Sequence, residues 1–127
     1  MTGSTVLSLL EQDHREIDDL LAKAMAGDGE ARAAFKSRLA RHIRIEDEII
    51  FPALAQSALA TPARVLSLEH ARLRELLAAD DIVAIEEHLS SHNLKEERVL
   101  YPAFESPGLE DLVAQIEKAL RLERVEG

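Results

Sequence analysis

Apolar residues recur along most of this 127-residue chain at alternating intervals of three and four positions, which is the spacing of one face of an α-helix. The pattern predicts four core helices at about residues 6–26, 30–56, 61–79 and 82–105, and a last amphipathic helix at about 109–124. Gly27 and Gly29 separate the first two helices, and Thr61 with Pro62 is typical of a helix start. Short connections make neighbouring helices antiparallel, so we expect one domain over residues 1–127. That domain is an all-α, up-down-up-down four-helix bundle with an additional C-terminal helix.

The predicted buried face of each core helix is apolar except for histidine and glutamate residues near the middle of the helix. The first and third helices bury Leu10, His14, Ile17 and Leu21, and Leu66, His70, Leu73 and Leu77. The second buries Phe35, Leu39, His42, Glu46, Ile49 and Ala53, and the fourth Ile82, Ile85, Leu89, His92, Glu96, Val99 and Ala103. Every core helix therefore contributes to one set of buried polar residues: His14, His42, Glu46, His70, His92 and Glu96.

Six polar groups in a small core need partners. Removing the partner of a buried charge costs about 3–5 kcal/mol, whereas a domain has only roughly 5–15 kcal/mol of net stability. A metal centre supplies one partner that all six share, and imidazole and carboxylate both bind iron, manganese and zinc. The alternative is a network in which the histidines and glutamates satisfy one another without a metal. The metal centre is favoured because buried charges are normally paired or coordinate metals.

Two of the helices carry the same motif, because His42 and Glu46 are repeated fifty positions later as His92 and Glu96. Residues four apart share a helix face, so the histidine can bind one metal while the glutamate reaches between two. The ions of a two-metal site lie about 3.5–4 Å apart, a span that one carboxylate bridges. Four histidines and two bridging glutamates then give each metal two nitrogen and two oxygen ligands, and one position can stay open.

Residues close to these motifs are predicted to act less directly. Tyr101 follows Glu96 by five positions, so on an α-helix it points away from the site and packs at the helix end. His88 lies one position off the buried face, where a half-exposed side chain is expected. Consecutive helix residues face different ways, so a carboxylate next to a ligand in sequence can support only a ligand on a different helix. Four carboxylates are placed in this way: Asp13, Asp47, Glu69 and Glu97.

Composition narrows the function further. The chain has no cysteine, which excludes disulfides, thiolate metal sites and cysteine nucleophiles. Its formal net charge of −9 argues against nucleic acid and anionic membranes as partners. No run approaches the roughly 20 apolar residues of a membrane span, and no basic segment of a signal peptide opens the sequence, so a cytoplasmic location is expected. The oligomeric state is left open.

The order His, His-x-x-x-Glu, His, His-x-x-x-Glu, with an aromatic residue and a proline after each glutamate, resembles the hemerythrin family, specifically the bacterial hemerythrin-like HHE cation-binding domains. The resemblance implies an oxo- or hydroxo-bridged pair of irons, for which zinc or manganese can substitute. Carried over by position, His14 and His42 bind one iron, His70 and His92 bind the other, and the two bridging ligands are Glu46 and Glu96.

The sequence departs from the oxygen carriers of that family. Those proteins have a fifth histidine four positions from the one on the third helix, where this chain has Leu66 and Arg74. Their last carboxylate is an aspartate at a wider spacing, whereas here it is Glu96. A set of four histidines and two glutamates is more similar to the family members that handle nitric oxide, peroxide or iron itself.

Four functions follow as hypotheses. The first is a protein that binds or senses oxygen or nitric oxide, and the second is an enzyme that turns over peroxide or reduces nitric oxide. Both need the same open iron position, and the sequence does not separate them. The third is iron storage or donation for the repair of iron centres, although members of that group often carry a cysteine-bearing N-terminal segment that this sequence lacks. The fourth, a metal-free interaction domain, is disfavoured by the buried polar residues.

Overall fold

The computed structural model describes residues 6–54, 58–101 and 110–126, and these form an all-α bundle with an additional C-terminal helix, as the sequence predicts. The elements, in chain order, are α1 (Val6–Met25), α2 (Gly29–Ile45), a π-helical turn π1 (Glu46–Ile50), α3 (Phe51–Ala53), α4 (Ala60–Ala79), α5 (Ile82–Lys95), a second π-helical turn π2 (Glu96–Leu100) and α6 (Glu110–Glu126). The predicted chain break at residues 106–108 lies outside the described residues.

Local sequence signals explain most helix ends. Gly27 has a φ of 104° after α1, and the Asp28 side chain then caps α2 by accepting a hydrogen bond from the Ala31 N–H at 3.1 Å. Asp80 adopts the left-handed conformation after α4, and the Asp81 side chain caps α5. The start of α4 differs slightly from the prediction, because that helix begins at Ala60, just before the Thr61-Pro62 signal.

Helices α1 and α2 run antiparallel, and so do α4 and α5. On α1 and α2, Asp13 meets His42 while Glu16 meets Arg38, so positions that advance on one helix pair with positions that recede on the other. Helices α4 and α5 meet at the same level of the bundle through His70 and His92. The tight turns around Gly27 and Asp80 leave no other geometry for helices that pack against each other.

The core consists of two apolar clusters with the polar residues between them along the bundle. One cluster contains Leu10, Ile45, Ile50, Phe51, Leu54, Ala63, Leu66, Leu100, Tyr101 and Ile116. The other contains Ile17, Leu21, Phe35, Leu39, Ile43, Leu73, Leu76, Ile85 and Leu89. In α1, His14 lies between a residue of the first cluster and a residue of the second, and in α4 His70 does the same. Through Ile116, α6 belongs to the first cluster and closes that end of the bundle.

The two π-helical turns change which residues face the core. A π-helical turn contains one residue more than an α-helical turn, so every later position rotates by one place. Three predictions of buried positions are therefore wrong: Ile49 is only half-buried, Ala53 is exposed, and Val99 is 44% exposed. The next residues in the chain take those places, and they are Ile50, Leu54 and Leu100. Ala103 lies outside the described residues.

In the part of the chain that the structure describes, no helix combines the length and the apolar character needed to cross a membrane.

Candidate metal centre

All six polar residues predicted for the core are buried in one layer of the bundle. Glu46, His70 and Glu96 have no exposed surface, and the other three histidines are 2–3% exposed. They form two groups, in each of which the candidate ligand atoms lie within 4.8 Å of one another. The first group is His14, His42, Glu46 and Glu96, and the second is Glu46, His70, His92 and Glu96. The two groups share both glutamates, so each carboxylate faces two sites.

Distances within each group match those between ligands of one metal. Donors about 2.1 Å from a metal and at roughly right angles are about 3.0 Å from each other. The Nε2 atoms of His14 and His42 are 3.0 Å apart. Those of His70 and His92 are 3.1 Å apart.

The two glutamates reach from one histidine pair to the other. Glu46 places Oε2 3.3 Å from the Nε2 atom of His42 and Oε1 3.1 Å from that of His70. Glu96 mirrors this arrangement, with Oε1 3.1 Å from the Nε2 atom of His14 and Oε2 3.2 Å from that of His92. Each carboxylate therefore directs one oxygen to each pair, which is the geometry of a bridging ligand.

Two buried carboxylate oxygen atoms indicate whether a metal cation fits between the histidines and glutamates. Within the described residues, Glu46 Oε1 and Glu96 Oε2 are buried and accept no hydrogen bond, although imidazole nitrogens lie close to both. A buried carboxylate oxygen without a partner is costly, and it needs positive charge nearby. Two such atoms face the second histidine pair, so the donor set fits a metal cation placed among them.

Every histidine of the layer forms a hydrogen bond through its Nδ1 atom with a carboxylate on a neighbouring helix. The Nδ1 atom of His42 is 2.7 Å from Asp13, and that of His14 is 2.8 Å from Glu97. The Nδ1 atoms of His70 and His92 are each 2.9 Å from a carboxylate; these carboxylates are Asp47 and Glu69, respectively. All four carboxylates adjoin a candidate ligand in sequence but bind a histidine of another helix, which confirms the prediction. With Nδ1–H donated outward, each Nε2 lone pair points into the layer.

Three of these outer carboxylates also form an ion pair with a basic side chain. Arg41, itself buried, donates to Asp13 at 2.9 Å, Arg74 donates to Asp47, and Lys95 donates to Glu69 at 2.6 Å. Burial alone would raise the pKa of Asp13, but the His42 ring and the Arg41 guanidinium lower it below its usual value. The carboxylates therefore stay ionised and hold the rings in place.

Glu97 differs from the other three outer carboxylates. Its side chain is 40% exposed, and apart from His14 no partner of Glu97 occurs among the described ion pairs and hydrogen bonds. It lines a surface cavity of about 310 Å³ together with Asp18 and Glu86. His14 is thus the histidine whose supporting carboxylate is open to solvent.

The carboxylates also raise the pKa values of His42 and His70. Burial alone would lower the pKa of His70, but the Asp47 carboxylate that accepts from its Nδ1–H, together with the nearby carboxylates of Glu46 and Glu96, raises it to about 10. Burial would lower the pKa of His42 too, but the charge of Glu46, the hydrogen bond to Asp13 and the nearby Glu96 carboxylate together raise it well above its usual value. Without a metal these rings carry protons that balance the glutamates. A metal would replace those protons, since only neutral imidazole binds metals.

Tyr101 overturns one prediction, because its hydroxyl lies inside the polar layer. The hydroxyl donates to Glu46 Oε2 at 2.7 Å, and it is 3.0 Å from His14 Nε2. The cause is π2, in which the Tyr101 N–H bonds to the carbonyl of Glu96, five residues back, so residues five apart share a face. Burial, and then the charges of Glu46 and Glu96, raise the pKa of the phenol well above its usual value. The repeated aromatic residue and proline after each glutamate was the sequence signal that marked this position.

Two further residues fall where the sequence placed them. His88 is half-buried, its Nε2 atom accepts or donates no hydrogen bond within the described residues, and it belongs to neither candidate ligand group. Leu66 is 2% exposed and lies in the same apolar cluster as Phe51 and Tyr101, four positions before His70.

The family model described as the hemerythrin HHE cation binding domain matches residues 5–83, which is more than half of the 127 residues. The matched stretch contains the first histidine, the first His-x-x-x-Glu motif and the histidine of α4. No curated protein and no solved structure matches the chain.

Proposed function

Since this chain belongs to the hemerythrin HHE cation-binding domain family, we propose that it holds two irons in the buried layer and binds a small ligand at one of them. His14 and His42 hold one iron, and His70 and His92 hold the other. Glu46 and Glu96 bridge the pair. The observation that carries this proposal is the direction of the two carboxylates, each of which offers one oxygen to each histidine pair.

Neighbouring side chains keep the iron-binding histidines in place. The outer carboxylates accept the Nδ1–H of each histidine and so fix its tautomer and ring orientation. Apolar clusters on both sides of the layer exclude water from it. A bound iron pair supplies redox electrons and a coordination position for oxygen, nitric oxide or peroxide.

Burial supports a small ligand over a larger substrate. Glu46, His70 and Glu96 have no exposed surface, so a molecule larger than a few atoms would have to displace core side chains. Burial also argues against iron donation, the alternative function, because ligands locked by outer hydrogen bonds favour retention of the metal. Zinc and manganese accept the same donor types, but Zn²⁺ has no redox chemistry and would not support the proposed reaction with oxygen or peroxide.

The test is addition of nitric oxide, oxygen or peroxide to the anaerobic, ferrous-loaded protein, followed by absorption spectroscopy. We expect one small molecule to bind per iron pair. Repeated consumption of peroxide or nitric oxide would identify an enzyme, and a stable adduct would identify a binding or sensing protein. Release of the iron on exposure to these molecules, with no adduct and no turnover, would contradict the proposal and favour iron donation.

A further inference from the structure

The hydroxyl of Tyr101 is surrounded by all the candidate donors of one metal position. Its distances are 2.7 Å to Glu46 Oε2, 3.0 Å to His14 Nε2, 3.2 Å to Glu96 Oε1 and 3.5 Å to His42 Nε2. Donors of one metal at roughly right angles are about 3.0 Å apart. The phenol oxygen therefore lies at the distances expected of a fifth donor in the same coordination sphere.

The phenol proton cannot satisfy both neighbouring carboxylates at once. A phenol has one proton to donate, and Glu46 at 2.7 Å is the nearest acceptor. Glu96 Oε1, a second carboxylate oxygen, also lies 3.2 Å from the phenol oxygen and can share only that same proton. Three oxygen atoms held this closely in a buried layer repel one another unless positive charge lies among them, and a bound metal would supply that charge in place of the histidine protons.

The other half of the layer has a different aromatic residue at the equivalent position. Phe51 follows Glu46 by five residues, as Tyr101 follows Glu96, and both positions come after a π-helical turn. The Phe51 ring stacks on His70, with centroids 5.3 Å apart and planes 16° from parallel. A benzyl side chain has no donor atom, so the two metal positions differ in their ligands although the backbone repeats.

We propose that Tyr101 is an oxygen ligand of the metal held by His14 and His42, an inference that rests on the proposed iron pair. That position then has two nitrogen and three oxygen donors from the protein. The position held by His70 and His92 has two of each and faces Phe51. The open coordination site that receives a small ligand is therefore on the His70 side of the pair.

Ligation exchanges the phenol O–H bond for an oxygen–metal bond, and the proton is released to solvent, as happens when other protein ligands lose a proton on binding metal. The two carboxylates disfavour the negative charge of a phenolate, whereas a metal cation beside the phenol would favour it. Glu46 then loses a hydrogen-bond donor and gains a metal at the same oxygen.

Resonance Raman spectroscopy of the ferric-loaded protein tests the proposal. Tyr101 is the only tyrosine of the chain, so any vibration of an iron-bound phenolate must come from it. We expect such vibrations in the wild-type protein, together with a visible charge-transfer band. Tyr101→Phe keeps the ring and should lose both signals while it still binds two irons. Phe51→Leu changes the equivalent ring of the other half and should retain both signals.

Metal analysis of the same samples separates the two proposals. Two irons per chain with phenolate vibrations support the ligand assignment, and the wild-type spectrum decides this even if a variant folds poorly. Two irons per chain without those vibrations, and with equal spectra for wild type and Tyr101→Phe, overturn the role of Tyr101 but leave the iron pair intact. Failure to bind a pair of irons overturns both.

Discussion

Asp13 binds the Nδ1 atom of His42 at 2.7 Å, on the neighbouring helix, although it stands next to His14 in the sequence. Buried Arg41 donates to the same carboxylate at 2.9 Å. The three groups form a buried chain from a guanidinium through a carboxylate to a candidate ligand. This arrangement ties the orientation of one ligand to an ion pair between α1 and α2.

The Asp13→Asn variant tests this chain. We expect iron affinity to fall about 10- to 100-fold, because the ligand loses the carboxylate that orients it. We also expect the free energy of unfolding to fall by about 3–5 kcal/mol, because Arg41 keeps a buried charge without its partner. Competition with a chelator measures the first effect and urea denaturation the second. Asp19→Asn, on the exposed face of the same helix, is the control, and equal behaviour of the two variants would rule out a supporting role for Asp13.

The bridging glutamates should matter more than any other carboxylate. Glu46→Ala or Glu96→Ala removes an oxygen donor from both metal positions, so we expect no more than one iron per chain and loss of magnetic coupling between irons. Glu48→Ala, at an exposed position two residues from Glu46, should leave both properties unchanged. Metal analysis and magnetic susceptibility provide the comparison. If all three variants kept a coupled pair, the bridging assignment would be wrong.

Much of this site can be predicted from the sequence because α-helical geometry relates spacing to direction. The four histidines interrupt apolar faces at regular α-helical intervals. Glu46 and Glu96 are the first residues of the two π-helical turns, so α-helical spacing still relates each of them to the histidine four positions earlier. The outer carboxylates follow from the same rule, since a residue next to a ligand must face another helix.

The orientation of the residues in and directly after the two π-helical turns could not be predicted from the sequence. The predictions that Tyr101 points away from the site and that Ile49 and Val99 are buried assume an α-helix throughout. One additional residue per turn instead brings Tyr101, Ile50 and Leu100 to the core. Propensity does not distinguish the two kinds of turn. Pro52 gives a partial signal, because a proline clashes with the carbonyl four residues back and favours a wider turn before it.

The stability of the metal-free protein should fall at alkaline pH. The pKa of His70 is raised to about 10 in the folded state, against about 6.5 in the unfolded chain. The contribution of His70 to the free energy of unfolding is complete below about pH 6.5 and is lost as the pH rises towards about 10. The pKa values of Asp13, Asp47 and Glu69 are lowered, so their contribution is lost on acidification below about pH 4.

Urea denaturation of the metal-free protein from pH 4 to pH 10 measures this dependence. We expect a maximum of stability between about pH 4.5 and 6.5. The metal-loaded protein should not show the alkaline loss, because its histidines are already neutral, and its metal affinity should increase with pH as protons compete less. A metal-free protein equally stable at pH 6 and pH 9 would contradict the raised pKa of His70.

Leu66→His should add a nitrogen donor on the His70 side. The residue is buried four positions before His70, on the same helix face, so a histidine there can reach the same metal. Without metal, we expect a loss of roughly 1–3 kcal/mol of stability, because a polar group is buried without a partner. Iron should restore part of this loss and shift the absorption spectrum, and the variant should bind azide more weakly than the wild type. Unchanged azide affinity would place Leu66 away from the metal.

The number of irons and the coupling between them test the central claim most directly. Anaerobic loading with ferrous iron, oxidation, removal of excess metal, and then metal analysis with Mössbauer spectroscopy and magnetic susceptibility give both quantities on one sample. The predicted result is two irons per chain, antiferromagnetically coupled in the ferric state through the bridges that Glu46 and Glu96 help to form. A single tightly bound, uncoupled iron per chain, or none, would contradict the account of the buried layer as a bridged pair.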